Sequence, residues 1–214
     1  MSIVRVNIKG TMWIHEEDAY TNQAGGCKAA RYVLGTEGKN PLLFFGINPS
    51  TATPGNPDPT IRKITAMTSH LKYDSWIMLN IYPQRAVKPD NLDIGIVQQI
   101  HNKNSAVIAD VIKNYCPDHC AAAAVWGNAI DKRNYLPGCL KDIANKIQAA
   151  SGKQLDWYCL GLTQKNNPKN PLFLSANTGL QPFDIDGYIQ SKNKNPPVTR
   201  GKINNPAGGG VSNP

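Results

Sequence analysis

The chain has 214 residues, 41% of them hydrophobic, which is enough for one domain with a full core. No apolar stretch approaches the roughly 20 residues that a membrane-spanning helix needs, so no membrane association is expected. The formal net charge of +8 is compatible with a nucleic-acid or nucleotide partner. Half of this excess comes from four cations after residue 190, so the charge says little about where a site lies.

The N-terminus and the cysteines both indicate a cytoplasmic protein. The first residues lack the basic-then-apolar layout of a signal peptide, so a cytoplasmic location is expected. Five cysteines without such a signal argue against a disulfide framework and predict free thiols. Cys116 and Cys120 have a C-x3-C spacing, but no two further ligands follow at a matching distance. Neither a metal ion nor a cofactor is therefore predicted.

The predicted elements begin with two strands, at residues 3–8 and 30–34, which we expect to form an antiparallel edge. The continuous apolar run of residues 42–47 then predicts a strand buried on both faces. Asp58 followed by Pro59 is typical of a helix N-cap and first helical position, and apolar residues at helical spacing follow them.

Strands and helices alternate after this first helix. Further helices are expected over residues 96–112 and near residues 128–149, the latter with a break at Pro137-Gly138. Three more apolar runs predict strands, at residues 75–81, 121–126 and 155–160. Alternation of this kind predicts right-handed βαβ units. The expected fold is α/β, a three-layer αβα arrangement with a central, mainly parallel four-stranded sheet and N-terminal antiparallel edge strands.

The last part of the chain, residues 191–214, is rich in Asn, Pro, Gly and Lys and has few large apolar residues. Such a segment cannot bury enough surface to offset the entropy lost on ordering, which predicts a disordered basic tail. The tail is interpreted as a solubilising extension or as a non-specific phosphate-binding arm. Residues 1–190 are predicted to form a single α/β domain.

Polar, turn-forming residues follow each predicted central strand, and in parallel sheets ligands bind beyond the carboxyl ends of the strands. Taken singly, each cluster is also typical of an ordinary turn, core residue or surface cation. Four clusters that converge on one edge favour a single site. They are Gly46-Ile47-Asn48-Pro49-Ser50-Thr51, Asn80 with Arg85, Trp126-Gly127-Asn128, and Gly161-Leu162-Thr163 with Asn170-Pro171-Leu172.

These motifs resemble those of an uncharacterised bacterial and phage domain family, over residues 31–174. The shared pattern is N-P-S-T-A at residues 48–52 and D-P-T-I-R at residues 58–62, followed by L-N and R-A, W-G-N, and a G-L-T segment that ends in P-L. Many members of that family carry histidine where this chain has Asn170. The resemblance brings no activity with it.

The same segments resemble, more remotely, the uracil-DNA glycosylase superfamily, especially its mismatch-specific and thymine-DNA branch. That branch carries G-I-N-P after its first central strand, where this chain has Gly46 to Pro49. It carries N-P-S after its last strand, where this chain has Asn170-Pro171-Leu172. The resemblance implies a uracil-DNA-glycosylase-like fold, a nucleic-acid partner and a base that is flipped out of its stack.

The resemblance also implies roles for individual residues. Asn48 would orient the attacking water, although an amide cannot accept its proton, and Asn170 would hydrogen-bond the base or a phosphate. Arg62 and Arg85 would contact phosphates. The residues expected to bind the substrate are Gly46, Ile47, Pro49, Ser50, Thr51, Asn80, Tyr82, Trp126 and Gly127.

The expected function is that of a DNA glycosylase-like protein that hydrolyses the N-glycosidic bond of a mismatched or modified base. Two alternatives stay open: a non-catalytic nucleotide or nucleic-acid-binding module on the same fold, and an enzyme acting on free nucleosides or nucleotides. The sequence has neither a phosphate-binding P-loop nor a G-x-S-x-G elbow, which disfavours P-loop nucleotidases and serine hydrolases. It does not indicate an oligomeric state.

Overall fold

The computed structural model describes residues 3–150 and 154–194. Its helices are α1 (Pro59–His70), α2 (Gln98–Tyr115), α3 (Leu136–Ala150) and α4 (Ile185–Lys194). Its strands are β1 (Val4–Ile8), β2 (Thr11–Thr21), β3 (Cys27–Thr36), β4 (Pro41–Gly46), β5 (Ser75–Asn80), β6 (His119–Ala124), β7 (Gln154–Cys159) and β8 (Gln181–Pro182). Within this part of the chain, no helix combines the length and apolarity needed to cross a membrane.

All eight strands form one mixed sheet, in the order β1-β2-β3-β5-β4-β6-β7-β8. Four of the seven pairings are antiparallel, and the three pairings within β5-β4-β6-β7 are parallel. The sheet thus has eight strands, whereas the sequence predicted four central strands and two antiparallel edge strands. The sequence pattern missed β2 because charged residues interrupt its apolar positions, and β2 places β3 inside the sheet rather than at its edge.

Helix α1 begins where the sequence predicted it. Pro59 occupies the first turn, and Asp58 Oδ1 accepts a hydrogen bond from the Ile61 backbone N–H at 2.9 Å. This cap satisfies one of the N–H groups that a helix start leaves unpaired. The apolar side of the helix, including Ile64 and Met67, is buried.

Helix α3 corrects the predicted break at Pro137-Gly138. Pro137 lies in the first turn of α3, where its missing N–H costs no helical hydrogen bond. A short 3-10 helix, Gly127–Lys132, occupies the region before it. The helical segment is therefore interrupted before Pro137, and Pro137 lies at the start of α3.

Helices cover both faces of the sheet. The side chains of β4, which alternate between the two faces, pack against both layers of helices. Leu42 and Phe44 pack with the apolar side of α1. Leu43 and Phe45 point to the opposite face and pack in a second cluster with α2, α3 and α4. Successive strand residues point to opposite faces, so a continuous apolar run fills both cores.

The connections create a crevice at one edge of the sheet. Strand β4 leads into α1, whereas its neighbour β6 leads into α3 on the opposite face. Where adjacent parallel strands send their connections to opposite faces, their carboxyl ends separate and leave room for a ligand. The loop Gly46 to Thr51 lies at this point.

Helix α4 extends the ordered structure past the predicted domain boundary. Its Tyr188 and Ile189 pack in the same core as α2 and α3. The helix runs to Lys194, so the first four residues of the predicted tail are helical. Residues 195–214 lie outside the described residues, and their disorder stays a prediction.

Candidate functional site

A crevice of about 560 Å³ opens at the carboxyl ends of β4, β5 and β6. This volume falls within the roughly 300–1,000 Å³ that is typical of small-molecule sites. The start of α1 and the loop after β7 complete its walls. The structure brings together nine of the predicted site residues, which all line this crevice: Gly46, Ile47, Asn48, Ser50, Thr51, Asn80, Trp126, Gly127 and Asn170.

Three of the other predicted site residues lie away from the crevice lining. Tyr82 is fully buried, and its hydroxyl accepts a hydrogen bond from the Val97 N–H at 2.9 Å, so it offers no stacking face. Arg62 is exposed and donates to the Pro57 carbonyl oxygen at 2.6 Å. Pro49 is buried, and its carbonyl oxygen accepts from the Ala86 N–H. The structure therefore does not bring these three side chains into the crevice.

Arg85 holds the loop after β4 in place. Its Nε donates to the Ser50 carbonyl oxygen and its Nη2 to the Thr51 carbonyl oxygen, each at 3.1 Å. Its Nη1 forms an ion pair with Glu17 Oε2 at 2.6 Å. All three side-chain nitrogens of Arg85 have partners within the chain. Arg85 therefore holds the loop after β4 and does not present an unpaired cation to a phosphate.

Asn48 is half-buried at the crevice, and its side-chain amide is fixed in one orientation. Nδ2 donates to the carbonyl oxygens of Pro49, at 3.0 Å, and of Ala86, at 2.8 Å. Because both partners are acceptors, the nitrogen must face them. Among the described residues Oδ1 has no hydrogen-bond partner. It is therefore the acceptor that Asn48 offers to a ligand or a water.

Asn80 is the most unusual side chain of the crevice. It is 1% exposed, yet within the described chain neither Nδ2 nor Oδ1 has a hydrogen-bond partner. Such an unpaired buried amide costs about 1–3 kcal/mol. Gly46 on the adjacent strand makes room for it, since a Cβ at Gly46 would clash with Met78 Cε and lie 3.0 Å from Asn80 Oδ1.

Asn170 is exposed at the crevice, and part of its side chain has a structural role. Oδ1 accepts a hydrogen bond from the Leu172 N–H at 2.9 Å and caps a short 3-10 helix, Pro171–Phe173. Only Nδ2 is left to meet a ligand. Gly127 packs against Asn170 Cβ and has a φ of +61°, a conformation that favours glycine.

A buried hydrogen-bond network supports the wall formed by Trp126. The indole Nε1 donates to the Tyr188 hydroxyl at 3.0 Å, and this hydroxyl donates to Asn167 Oδ1 at 2.8 Å. Asn167 Nδ2 in turn donates to Asn128 Oδ1 at 3.0 Å and to Asp131 Oδ2 at 2.9 Å. Burial raises the pKa of Tyr188, so the hydroxyl stays protonated. Helix α4 thereby fixes two residues of the crevice lining.

Sequence reasoning missed Arg31, which lies on β3 and lines the crevice. It is 3% exposed, and its Nη1 donates to the Ala52 carbonyl oxygen. Burial, followed by the nearby Arg85 cation, lowers the pKa of Arg31 to about 10, so it is charged at neutral pH. The signal in the sequence was a lone cation within the otherwise apolar segment of residues 30–34.

Asp58 and Phe173 also line the crevice without having been predicted to do so. Asp58 uses one carboxylate oxygen to cap α1 and keeps the other available. Phe173 is 88% exposed. Within the described residues, no group of three or more His, Cys, Asp or Glu side chains could hold a metal ion.

Fold and crevice define a mixed α/β protein with a pocket at the carboxyl ends of its parallel strands. The chain belongs to the family described as protein of unknown function DUF1643, whose model matches residues 31–172. The resemblance to an uncharacterised domain family is thereby confirmed. The matched segment begins at Arg31 and ends at Leu172, and both residues line the crevice. No curated protein matches the chain.

Proposed function

We propose that the crevice binds a nucleobase and that the protein is a DNA glycosylase-like hydrolase, which cleaves the N-glycosidic bond of a mismatched or modified base. The observation that carries this proposal is the unpaired, 1% exposed amide of Asn80 in the crevice lining. An amide presents a donor and an acceptor side by side. Both amide atoms have almost no accessible surface. The edge of a nucleobase presents the complementary pair, so a base that reached the amide would satisfy both atoms at once.

Further support comes from the position of the site in the sheet. Strands β5, β4, β6 and β7 pair in parallel within the larger sheet, and Ile47 to Pro49 follow β4. These are the features in which the chain resembles the uracil-DNA glycosylase superfamily. The loops after β5, β6 and β7 contribute residues to the same crevice, as the resemblance implies.

The hydrolysis requires a positioned water and a proton acceptor. Asn48 Oδ1, held by the two hydrogen bonds of Nδ2, orients the water. Asp58, with one carboxylate oxygen outside the helix cap, takes the proton. The water oxygen bonds to C1′, the bond from C1′ to the base nitrogen breaks, and that nitrogen keeps the electron pair. Asp58 then returns the proton to the base or to solvent.

Phe173 replaces Tyr82 as the aromatic face for the base. It lies at the crevice and is 88% exposed, whereas Tyr82 is fully buried. Stacking of a base on an aromatic side chain stabilises a complex by about 1–3 kcal/mol. A bound base would cover Phe173, which accounts for the exposure of a large apolar side chain at this position.

The direct test is base release. The protein is incubated at stoichiometric concentration with duplexes that carry uracil, mismatched thymine or modified pyrimidines, and abasic sites are then cleaved with alkali. Free nucleosides and nucleotides are assayed for base release by chromatography. We expect product from at least one of these substrates. No product from any of them would refute hydrolysis.

Asp58→Asn is the matched variant for the catalytic step, because asparagine still caps a helix but accepts no proton. We expect it to keep the stability and ligand binding of the wild type and to lose turnover by about 10²–10⁴-fold. Full activity in this variant would remove Asp58 from the mechanism. Nucleoside binding by the wild type without any product would instead indicate the non-catalytic module.

A further inference from the structure

We propose that Arg31 binds an oxyanion that the substrate carries into the crevice, and that this oxyanion is a terminal phosphate. The inference rests on the nucleobase site of the proposed function, which it takes as given, and replaces the duplex substrate of that proposal with a smaller one. The substrate would be a nucleoside monophosphate or a strand end, rather than a nucleotide within a continuous duplex.

The first argument is that the charge of Arg31 is buried without an ion pair, although the charges of Asp58 and Glu17 act to raise its pKa. The side chain is 3% exposed, and no carboxylate of the described residues lies within ion-pair distance of it. Buried charges in proteins are normally paired, because desolvation of an isolated ion is unfavourable. Because Arg31 also lines the crevice, a bound anion can supply the missing charge.

The second argument is the geometry of the guanidinium group. Nη1 is used by the Ala52 carbonyl oxygen, which fixes the plane of the group. Nε is buried without a partner, and none of the described residues accepts a hydrogen bond from Nη2. Nε and Nη2 form the edge that binds two oxygens of one phosphate or carboxylate. The hydroxyls of Ser50 and Thr51 line the same crevice and can donate to further oxygens.

The third argument concerns the charge of the surroundings. Arg31 and Asp58 are the ionised side chains of the crevice lining, one of each sign. A protein that binds duplex DNA neutralises several phosphates with lysines and arginines. Here the cations predicted for that purpose, Arg62 and Arg85, donate to carbonyl oxygens of the chain itself. One buried cation fits one anionic group that enters the crevice.

The fourth argument distinguishes a terminal from an internal phosphate. An internal phosphodiester continues into chain on both sides, and the crevice would have to admit both neighbouring nucleotides to bring it to a 3% exposed side chain. A phosphomonoester has a single attachment. It can therefore reach Arg31 while its base occupies the site at Asn80.

The test compares ligands by calorimetry on the full chain. The probes are the deoxynucleosides of uracil, thymine and cytosine, their 5′-monophosphates, and trinucleotides with the same base in the middle. We expect each bound monophosphate to bind at least tenfold more tightly than its nucleoside and its trinucleotide. Arg31→Met should abolish this difference, so that the nucleoside, the monophosphate and the trinucleotide of one base bind alike. Arg62→Met is the matched control and should keep the difference.

Arg31→Lys and a direct spectroscopic signal cover the case in which Arg31→Met does not fold. Lysine keeps the charge but not the two-nitrogen edge, so the preference should shrink without vanishing. In the wild type, inorganic phosphate should shift the NMR resonance of the Arg31 Nε–H. An unchanged resonance, or a phosphate preference that survives in Arg31→Met, overturns the inference.

The outcomes separate this inference from the proposed function. Nucleosides that bind as tightly as their monophosphates overturn the phosphate site but leave the nucleobase site intact. Trinucleotides that match the monophosphates overturn the preference for a terminal phosphate. Inorganic phosphate that binds in an Arg31-dependent manner, with no binding of any nucleoside, supports the oxyanion site and refutes the nucleobase site.

Discussion

Replacement of Asn80 by leucine separates the function of this side chain from its effect on stability. Leucine has nearly the shape of asparagine and puts methyl groups where Nδ2 and Oδ1 lie unpaired among the described residues. Removal of an unpaired buried amide should raise the free energy of unfolding by about 1–3 kcal/mol. The tight packing beside Gly46 leaves little room for leucine and reduces this gain. We expect the free energy of unfolding to rise by about 1–2 kcal/mol, which raises Tm by about 2–8 °C in a domain of this size.

Asn104→Leu is the matched control, because Asn104 is equally buried but its Nδ2 is hydrogen-bonded, and only its Oδ1 lacks a partner among the described residues. Its Nδ2 donates to the Asn80 carbonyl oxygen at 2.8 Å, so its replacement should lower the free energy of unfolding by about 1–3 kcal/mol. Urea denaturation followed by tryptophan fluorescence measures both variants, and nucleoside binding is measured alongside. The reasoning is refuted if Asn80→Leu destabilises the protein as Asn104→Leu does, or if the folded Asn80→Leu protein still binds nucleosides.

Three further predictions concern the support of the site and the thiols. Arg85→Met removes the hydrogen bonds that hold the loop after β4, so we expect a loss of about 2–4 kcal/mol in urea denaturation and faster hydrogen exchange of the loop amides. Tyr188→Phe leaves Trp126 Nε1 unpaired, and we expect a loss of about 1–3 kcal/mol in the same assay. Cys27, the exposed cysteine, should be the one thiol that a disulfide reagent modifies at pH 8 in the native protein. Burial raises the pKa of Cys139 to about 12, so its reactive thiolate is scarce at that pH.

Each of these predictions has an outcome that contradicts it. Unchanged exchange of the loop amides in Arg85→Met would mean that the loop does not depend on this side chain. Wild-type stability of Tyr188→Phe would mean that the network does not support the crevice wall. Rapid modification of more than one thiol in the native protein would contradict the burial of the other four cysteines.

The sequence predicted which residues meet at one edge of the sheet, because strand ends and turn residues leave local signals. The four continuous apolar runs became β4, β5, β6 and β7, and the polar residues after them meet in one crevice. The Asp58-Pro59 pair predicted the start of α1 for a local reason, namely the cap. The strand β2 was missed, because its apolar and charged residues give no continuous run.

The roles of individual side chains were harder to predict, because they depend on contacts between distant parts of the chain. Arg85 follows β5 as a phosphate-binding residue would, yet its partners are Glu17 and the loop after β4. Tyr82 is adjacent to the site in sequence but lies within the core. Arg31 precedes the motifs and reaches the crevice only because β3 pairs with β5. The spacing of residues along the sequence does not reveal these tertiary contacts.

The most direct measurement of the central claim is NMR of the Asn80 side-chain amide during titration with pyrimidine nucleosides. The resonance is assigned by its loss in Asn80→Leu, and the buried Asn104 amide, which donates to backbone carbonyl oxygens, is the internal reference. A base bound in the crevice should shift the Asn80 resonance in a saturable manner and leave that of Asn104 nearly unchanged. An Asn80 resonance that does not move while a nucleoside binds would contradict a nucleobase site at Asn80.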